Sequence, residues 1–224
     1  MFAGIEEIDK KEEDEFKIQF EDFAAPFSQL LEEENEIRRR NAPDFNIFSF
    51  LNFERDELFH SNFLSYLFDP RKSHEQGFLF LRTFFDTIKN SKDKPQVPDF
   101  DLTKGIWFIH REYSFNQGRF DIVLRNNDLS ALYVIENKVD APDQHRQLER
   151  YGDYLRLSKN KYFNQGLFFL TKEGDSSFTS NNSTYYRISY HSDIKNWLIT
   201  ALPQIEAETV RGTVRQYINL IEWI

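Results

Sequence analysis

Residues 118–124 read Gly-Arg-Phe-Asp-Ile-Val-Leu, and residues 133–139 read Tyr-Val-Ile-Glu-Asn-Lys-Val. Both runs are rich in β-branched and aromatic residues, which favour strands, and polar residues typical of tight turns separate them. A third run of the same kind, residues 106–115, comes just before them. We therefore predict three consecutive strands that pair as a β-meander.

The sequence on both sides of this meander predicts helices and two further strands. Short apolar runs at 166–171 and 185–190 predict the strands. Apolar residues at helical spacing predict helices at 54–68, 75–89, 143–157, 193–202 and 210–224. We therefore expect an α/β fold, in which a central mixed sheet of about four to five strands is flanked by helices.

Charged residues interrupt the apolar strands at a few positions. Because successive side chains of a strand point to opposite faces, Glu136 and Lys138 should share one face and Asn137 the other. Asp121 should be the charged residue near the start of its strand, on the face opposite Phe120, Ile122 and Leu124. A charge in such a position needs a partner or a metal ion.

The two acidic residues suggest a metal site. If the strands are neighbours, Asp121 and Glu136 approach each other, and two close carboxylates repel unless a cation lies between them. Carboxylate oxygens favour Mg²⁺ or Mn²⁺, and Mg²⁺ often uses only one or two protein carboxylates. Lys138 would reach the same point, where an ammonium group can position or help to deprotonate an attacking water. This chemistry is suited to phosphodiester hydrolysis.

The spacing of Asp121, Glu136 and Lys138 resembles the signature of the PD-(D/E)XK nuclease superfamily: an Asp, a gap, then Asp or Glu, any residue, and Lys. Gln147 and Tyr151 resemble the Q-x-x-x-Y motif of the RecB-like branch, in the helix that follows the Lys strand. The resemblance implies a restriction-endonuclease-like core and a DNA substrate. It also implies that Asp121 and Glu136 bind Mg²⁺ or Mn²⁺, that Lys138 serves the attacking water, and that Gln147 and Tyr151 line the site.

Further parts of the chain resemble one family of this superfamily, and the resemblance spans about residues 54–224. Glu112 in the first strand resembles an additional acid of that family, which implies a supporting role in catalysis. Phe120 stands where the name-giving proline would be, and this proline is often absent. The helical front end resembles the family at Glu57, His60-Ser61, Asp69-Pro70 and His74-Glu75-Gln76-Gly77.

The net charge of −9 is distributed unevenly. Residues 1–36 hold thirteen acidic and three basic residues, a local charge of −10, so the rest of the chain is close to neutral. We expect residues 1–40 to form an acidic helical arm, divided at Pro26 into two helices, and residues 41–224 to form the nuclease-like domain. An apolar stripe, which would pack on the body, consists of Phe16, Phe20, Phe23, Phe27, Leu30 and Ile37. Alternatively, the acidic residues mimic phosphates over a nucleic-acid groove.

Composition excludes several other classes of protein. The chain has no cysteine, so it has no disulfide, thiolate metal site or cysteine nucleophile. No two histidines have the spacing of a zinc site, and no Gly-rich phosphate-binding loop occurs. No apolar run is long enough to span a membrane, and the acidic start is unlike a signal peptide. We expect a soluble, cytoplasmic protein.

Three alternatives remain open at this point. Glu136 and Lys138 could be a surface ion pair, with Asp121 a turn residue. The fold could also be a catalytically silent module that binds nucleic acid or a protein partner. Finally, because no basic tract is present, another subunit could supply sequence recognition, and a second copy of the chain could pack at the apolar chain end, residues 222–224, as a homodimer.

Overall fold

The computed structural model describes residues 3–89, 97–142, 144–180 and 185–224, with the side chains of the first helix described at Lys17 and from Phe20 onward. Contacts divide the chain into two compact units, Met1–Phe45 and Asn46–Ile224. The larger unit contains the sheet and every residue predicted to take part in chemistry.

The smaller unit contains one long helix, α1 (Ala3–Asn41). The predicted division at Pro26 is wrong, because the helix runs through this residue. A proline removes a single backbone hydrogen bond, and the helix-favouring residues on both sides maintain the helix. The Phe16 side chain, predicted to be part of the apolar stripe, lies outside the described residues. The other members of the stripe are exposed on the helix: Phe20, Phe23, Phe27, Leu30 and Ile37.

The larger unit begins with three helices, α2 (Ile47–Phe50), α3 (Glu57–Phe68) and α4 (Leu79–Lys89). Asp56 caps α3, since its side chain accepts a hydrogen bond from the Phe59 N–H. The predicted start of α4 at Glu75 is wrong. Glu75 and Gly77 have left-handed backbone angles, which a right-handed helix cannot include.

In the described part of the chain, five strands form one sheet in sequence order. β1 (Trp107–Phe115), β2 (Gly118–Asn126) and β3 (Ala131–Asn137) are antiparallel neighbours and form the predicted meander. β4 (Asn164–Thr171) and β5 (Tyr186–Ser189) continue the sheet in parallel with β3. The sheet is therefore mixed, as the sequence predicts.

Helix α5 (Gln147–Ser158) connects β3 to β4. The sequence predicts its start at Asp143, which lies outside the described residues; Arg146, just before the helix, has a left-handed backbone, so the helix cannot extend through it. After β5 come a π-helix (Tyr190–Ile194), α6 (Lys195–Ala201), a 3₁₀ turn (Leu202–Gln204) and α7 (Glu208–Ile221). No helix among the described residues is both long and apolar enough to cross a membrane.

Two hydrophobic cores cover the two faces of the sheet. The larger includes Ile122 and Leu124 and packs under α3, α4, α6 and α7, whereas the smaller includes Phe120 and Val123 and packs under α5. The prediction that Phe120 shares a face with Ile122 and Leu124 is therefore wrong. The alternation is interrupted at Asp121, where the β1–β2 ladder skips one residue on each strand and the skipped β1 residue, Glu112, has a left-handed backbone. The predicted α/β fold class is confirmed.

Candidate active site

Glu136 is the centre of the site and lies near the end of β3, with its side chain fully buried under α5. Its Oε1 atom accepts a hydrogen bond from Gln147 Nε2 at 2.6 Å and forms an ion pair with Lys138 Nζ at 2.7 Å. Its Oε2 atom is buried and has no hydrogen-bond donor among the described residues. An unsatisfied buried carboxylate oxygen is rare, and it indicates a place for a missing ligand.

Asp121 lies across from Glu136 on the neighbouring strand. The ladder pairs Ile122 with Ile135, the neighbours of the two acidic residues, and both acidic side chains line the same cleft. Asp121 Oδ2 accepts a hydrogen bond from the Asn137 N–H at 2.8 Å. The predicted approach of Asp121, Glu136 and Lys138 is thus present in the structure.

Burial and mutual repulsion change the protonation of this group. Burial, and then the neighbouring Asp121 carboxylate, raise the pKa of Glu136 to about 8. Burial also raises the pKa of Asp121. Burial lowers the pKa of Lys138, but the carboxylates of Glu136, Asp121 and Glu57 outweigh it, so the net pKa lies above its ordinary value. Lys138 is therefore an ammonium ion at neutral pH.

Gln147 and Tyr151 lie one turn apart on α5 and hold Glu136 from the helix side. Gln147 Nε2 donates to Glu136 and also lies 2.9 Å from the Tyr151 hydroxyl oxygen. The Tyr151 hydroxyl donates to the Arg119 carbonyl oxygen. Burial raises the pKa of Tyr151, so this hydroxyl remains protonated and able to donate. The predicted placement of both residues beside the acidic pair is observed.

Glu57, at the start of α3, is the residue whose contribution sequence reasoning missed. Its Oε1 accepts hydrogen bonds from the N–H groups of Val139 and Ala141, at 2.8 and 3.1 Å. It therefore fixes the backbone that follows Lys138. The only signal in the sequence is its position beside His60-Ser61 in the helical front end, and that pattern does not say what Glu57 contacts.

Glu112, predicted as a supporting acid, lies on β1 beside Asp121 but is held by arginines. Its carboxylate pairs with Arg119 at 3.1 Å and with Arg111 at 3.3 Å. Its backbone is left-handed, with φ of 51°, at the position where the β1–β2 ladder is interrupted. Together with Asp121 and Glu57 it lines a small cavity of about 160 Å³ next to the main site. The structure therefore places Glu112 near the acidic pair of Asp121 and Glu136 and not within it.

A separate polar cluster lies on the other face of β3, around Asn137. Asn137 Nδ2 donates to the Glu57 carbonyl oxygen and to Ser61 Oγ, both at 3.1 Å, and its Oδ1 accepts from the Tyr190 hydroxyl at 2.8 Å. His60 Nε2 donates to the Glu54 carbonyl oxygen at 3.0 Å, so its Nδ1 accepts from the Tyr217 hydroxyl at 2.8 Å. These side chains are neutral and paired, which indicates a structural role.

His74, the other histidine of the helical front end, is also structural. Its Nε2 donates to the Asp69 carbonyl oxygen at 2.9 Å, and its Nδ1 accepts from the Gln76 N–H at 3.0 Å. Both ring nitrogens are therefore used within one turn, and neither is free to bind a metal ion.

The carboxylates open into a cleft of about 600 Å³, whose lining includes Asp121, Glu136 and Lys138. Arg150, which donates to the Gln117 carbonyl oxygen, and Lys138 place cations in its wall, whereas Arg119 is paired with Glu112. A second groove, of about 540 Å³, lies between α5 and β4, but its arginines pair with acidic residues of the same helix. The cleft is therefore the better candidate for a polyanionic substrate.

The two carboxylates fit a divalent metal ion of the Mg²⁺ type. Among the described residues, no three His, Asp or Glu side chains are grouped as a complete ligand set. Mg²⁺ does not need such a set, since it is commonly held by one or two carboxylates together with waters and substrate phosphates. The unsatisfied Oε2 of Glu136 beside Asp121 supplies the oxygen ligands that such an ion prefers.

Comparison with known proteins identifies the family. A sequence model of the PD-(D/E)XK nuclease superfamily matches residues 45–219. The chain belongs to the PD-(D/E)XK nuclease superfamily. No curated protein and no solved structure matches it significantly. In this PD-(D/E)XK chain, the mixed sheet and its flanking helices form the restriction-endonuclease-like core, and the matched residues include the whole cleft.

Proposed function

We propose that this protein is a metal-dependent nuclease that hydrolyses DNA phosphodiester bonds. The observation that carries the proposal is the buried Glu136 carboxylate, with one oxygen held by Lys138 and Gln147 and the other unsatisfied beside Asp121. A purely structural buried acid would have both oxygens paired. Superfamily membership supports the reaction class, and the Asp121, Glu136 and Lys138 signature supports the residues.

Each residue has a definite task in this proposal. Asp121 and Glu136 would hold Mg²⁺ or Mn²⁺, which when bound would neutralise phosphate charge and lower the pKa of water. Lys138 is protonated, so it orients the attacking water and stabilises negative charge on the phosphate, and it does not accept a proton in this state. Gln147 fixes the Glu136 carboxylate, Tyr151 fixes Gln147, and Glu57 fixes the backbone after Lys138.

We also propose the finer features that the sequence predicts. Gln147 and Tyr151 would form the Q-x-x-x-Y motif of a RecB-like enzyme, and Glu112 would be a supporting acid through its position beside Asp121. Residues 41–224 would form the nuclease domain and residues 1–40 an acidic arm. A cytoplasmic location, a homodimer and a separate recognition subunit are further proposals from the sequence.

The proposal is tested by incubating the purified protein with linear, circular and single-stranded DNA in Mg²⁺ or Mn²⁺. We expect cleavage by the wild type, and its loss in Asp121→Asn and Lys138→Gln. Asp153→Asn is the matched control, because it removes an exposed acid of α5 that pairs with Arg156 and is not part of the cleft lining. Equal cleavage by the wild type and both active-site variants would identify a contaminating nuclease. Binding of DNA without cleavage would instead favour the alternative of a silent module.

A further inference from the structure

Phe178, in the segment after β4, is 90% exposed although the backbone around it is well held. The Ser177 N–H donates to the Tyr185 hydroxyl at 2.9 Å. Ser177 Oγ accepts hydrogen bonds from the N–H groups of Thr179 and Ser180, at 3.3 and 3.1 Å. These bonds form a tight turn of the kind that serine side chains stabilise. The hydrogen bonds therefore define the backbone of the turn, and the Phe178 ring projects into solvent from it.

The turn lies at the rim of the proposed active-site cleft. Thr179 Oγ1 donates to the Gln144 carbonyl oxygen at 2.9 Å, and Gln144 lines the cleft. The Gln144 N–H in turn lies 3.2 Å from Oε1 of Gln147, the residue that holds Glu136. The topology also places the turn near the site. The parallel strands β3 and β4 end at the same edge of the sheet, where the Lys138 N–H donates to the Leu170 carbonyl oxygen at 2.8 Å.

An exposed phenylalanine is not unusual by itself, because folded proteins leave much apolar surface in water. Phe178 differs because its turn is hydrogen-bonded to Gln144 at a cleft whose wall includes the cationic side chains of Arg150 and Lys138. Proteins that bind unpaired bases combine cationic side chains, which contact phosphates, with an aromatic ring on which a base stacks. In a duplex, by contrast, the base faces are already stacked on each other and are not accessible to a side chain.

We propose that Phe178 stacks on an unpaired base of the DNA strand that enters the cleft. The preferred substrate is then single-stranded DNA, or a duplex end or flap with unpaired bases next to the cleaved phosphate. This inference rests on the proposed nuclease function, and it adds the class of substrate and a residue that determines specificity.

The test uses the full-length protein without divalent metal, so that binding is measured separately from cleavage. The probe is a short single-stranded DNA that carries 2-aminopurine, whose fluorescence falls when it stacks; the same sequence as a duplex is the comparison. Phe178→Ala removes the ring, and Phe178→Tyr keeps it. Phe163→Ala is the matched control, because Phe163 is 68% exposed but precedes β4, at the opposite end of the same strand.

We expect the wild type to bind the single strand more tightly than the duplex and to quench the probe. Phe178→Ala should weaken single-strand binding by about five- to a hundredfold and abolish the quenching. Phe178→Tyr and Phe163→Ala should behave as wild type, and thermal melting should be unchanged in all of them, because both rings are exposed.

Unchanged binding and quenching in Phe178→Ala would overturn the inference, as would an equal loss in Phe163→Ala. A cleavage assay in Mg²⁺ separates this result from the fate of the proposed function. If the wild type cleaves DNA and Phe178→Ala cleaves single strands and duplexes as the wild type does, only the stacking inference fails. If Phe178 mediates single-strand binding and no cleavage occurs, the nuclease proposal fails and the stacking inference remains.

Discussion

Glu136 and Asn137 are adjacent in β3, are equally buried and face opposite sides of the sheet, yet their surroundings differ. The Asn137 network, formed by Asn137, Ser61 and Tyr190, is neutral, and each polar atom of the Asn137 side chain has a partner. The carboxylate cluster, formed by Asp121, Glu136 and Lys138, is charged and leaves one buried oxygen unsatisfied. A paired network fixes one conformation, whereas an unsatisfied charge keeps binding energy available for a ligand. The comparison therefore separates buried polar residues that maintain the fold from those that serve chemistry.

The largest effect should come from Glu136→Gln, which keeps the size of the side chain and removes its charge. We expect DNA cleavage to fall by about a thousandfold, since a main electrostatic contribution to catalysis is lost. The free energy of unfolding at pH 8 without metal should change little, because loss of the ion pair with Lys138 is offset by relief of the repulsion with Asp121, whose carboxylate then balances Lys138. Cleavage kinetics and urea denaturation measure the two effects. A large loss of stability in this variant would show that Glu136, like Asn137, serves mainly to maintain the fold.

The second prediction concerns metal affinity and pH. Because the pKa of Glu136 is raised to about 8, the metal-free folded protein holds a proton that the metal ion must displace. Apparent Mn²⁺ affinity should therefore rise with pH up to about 8, by at most tenfold per pH unit for one proton. Calorimetry in buffers of different ionisation enthalpy counts the released protons. Mn²⁺ binding that is independent of pH between 6 and 8 would contradict this prediction.

The third prediction applies to the other side of β3. Tyr190→Phe leaves the buried Oδ1 of Asn137 without its donor, so the free energy of unfolding should fall by about 1–3 kcal/mol. Mn²⁺ affinity should change little, because the carboxylates keep all their contacts. Tyr66→Phe is the matched control: it removes a comparable hydroxyl contact, to Ser73, at an exposed position. If both variants lost a similar free energy of unfolding, burial would not explain how strongly the Tyr190 hydroxyl stabilises the protein.

The smallest effect should come from His60. Burial lowers its pKa, although the nearby carboxylates of Asp56, Glu57 and Glu54 partly oppose this shift. The unfolded chain therefore binds a proton more readily, and the contribution of His60 to stability should be lost as pH falls from its ordinary pKa of about 6.5 towards its lower pKa in the folded state. The slope should be no steeper than about 1.4 kcal/mol per pH unit.

Glu136 acts in the opposite direction, which allows the two contributions to be separated. The pKa of Glu136 is raised in the folded state, so the folded protein binds this proton more tightly than the unfolded chain does. Glu136 therefore adds to the free energy of unfolding at low pH, and this stabilisation is lost as pH rises towards 8. Urea denaturation between pH 5 and 7 should therefore show the histidine slope best in the Glu136→Gln background. His60→Gln in that background should flatten the slope, and an unchanged slope would assign it to other groups, such as His74, whose pKa burial also lowers.

Much of the fold was predictable because its signals are local. Apolar periodicity identified the strands and most helices, and alternation placed Glu136 and Lys138 on one face, as their 2.7 Å ion pair confirms. Local patterns failed where backbone geometry departs from regularity, as at Asp121, where the alternation is interrupted, and at Pro26, where the helix continues.

The supporting contacts of the site could not be predicted, because they join residues far apart in sequence. Glu57 reaches the backbone of Val139, 82 positions later, and no periodic pattern encodes this contact. Asn137 likewise appears in the sequence only as the variable residue between Glu136 and Lys138. Its partners Ser61 and Tyr190 come from a helix upstream and from the π-helix downstream.

The hydrogen bond between His60 and Tyr217 links α3 to α7, the last helix of the described fold. Helix α3 also carries Glu57, which fixes the backbone after Lys138. During synthesis on the ribosome, Asp121, Glu136 and Lys138 emerge well before Tyr217. We therefore expect a nascent or prematurely terminated chain to have the acidic pair but not the support that α7 gives to α3. If the proposed function is correct, DNA cleavage by such a fragment should be weak until Tyr217 has been added to the chain and α7 supports α3.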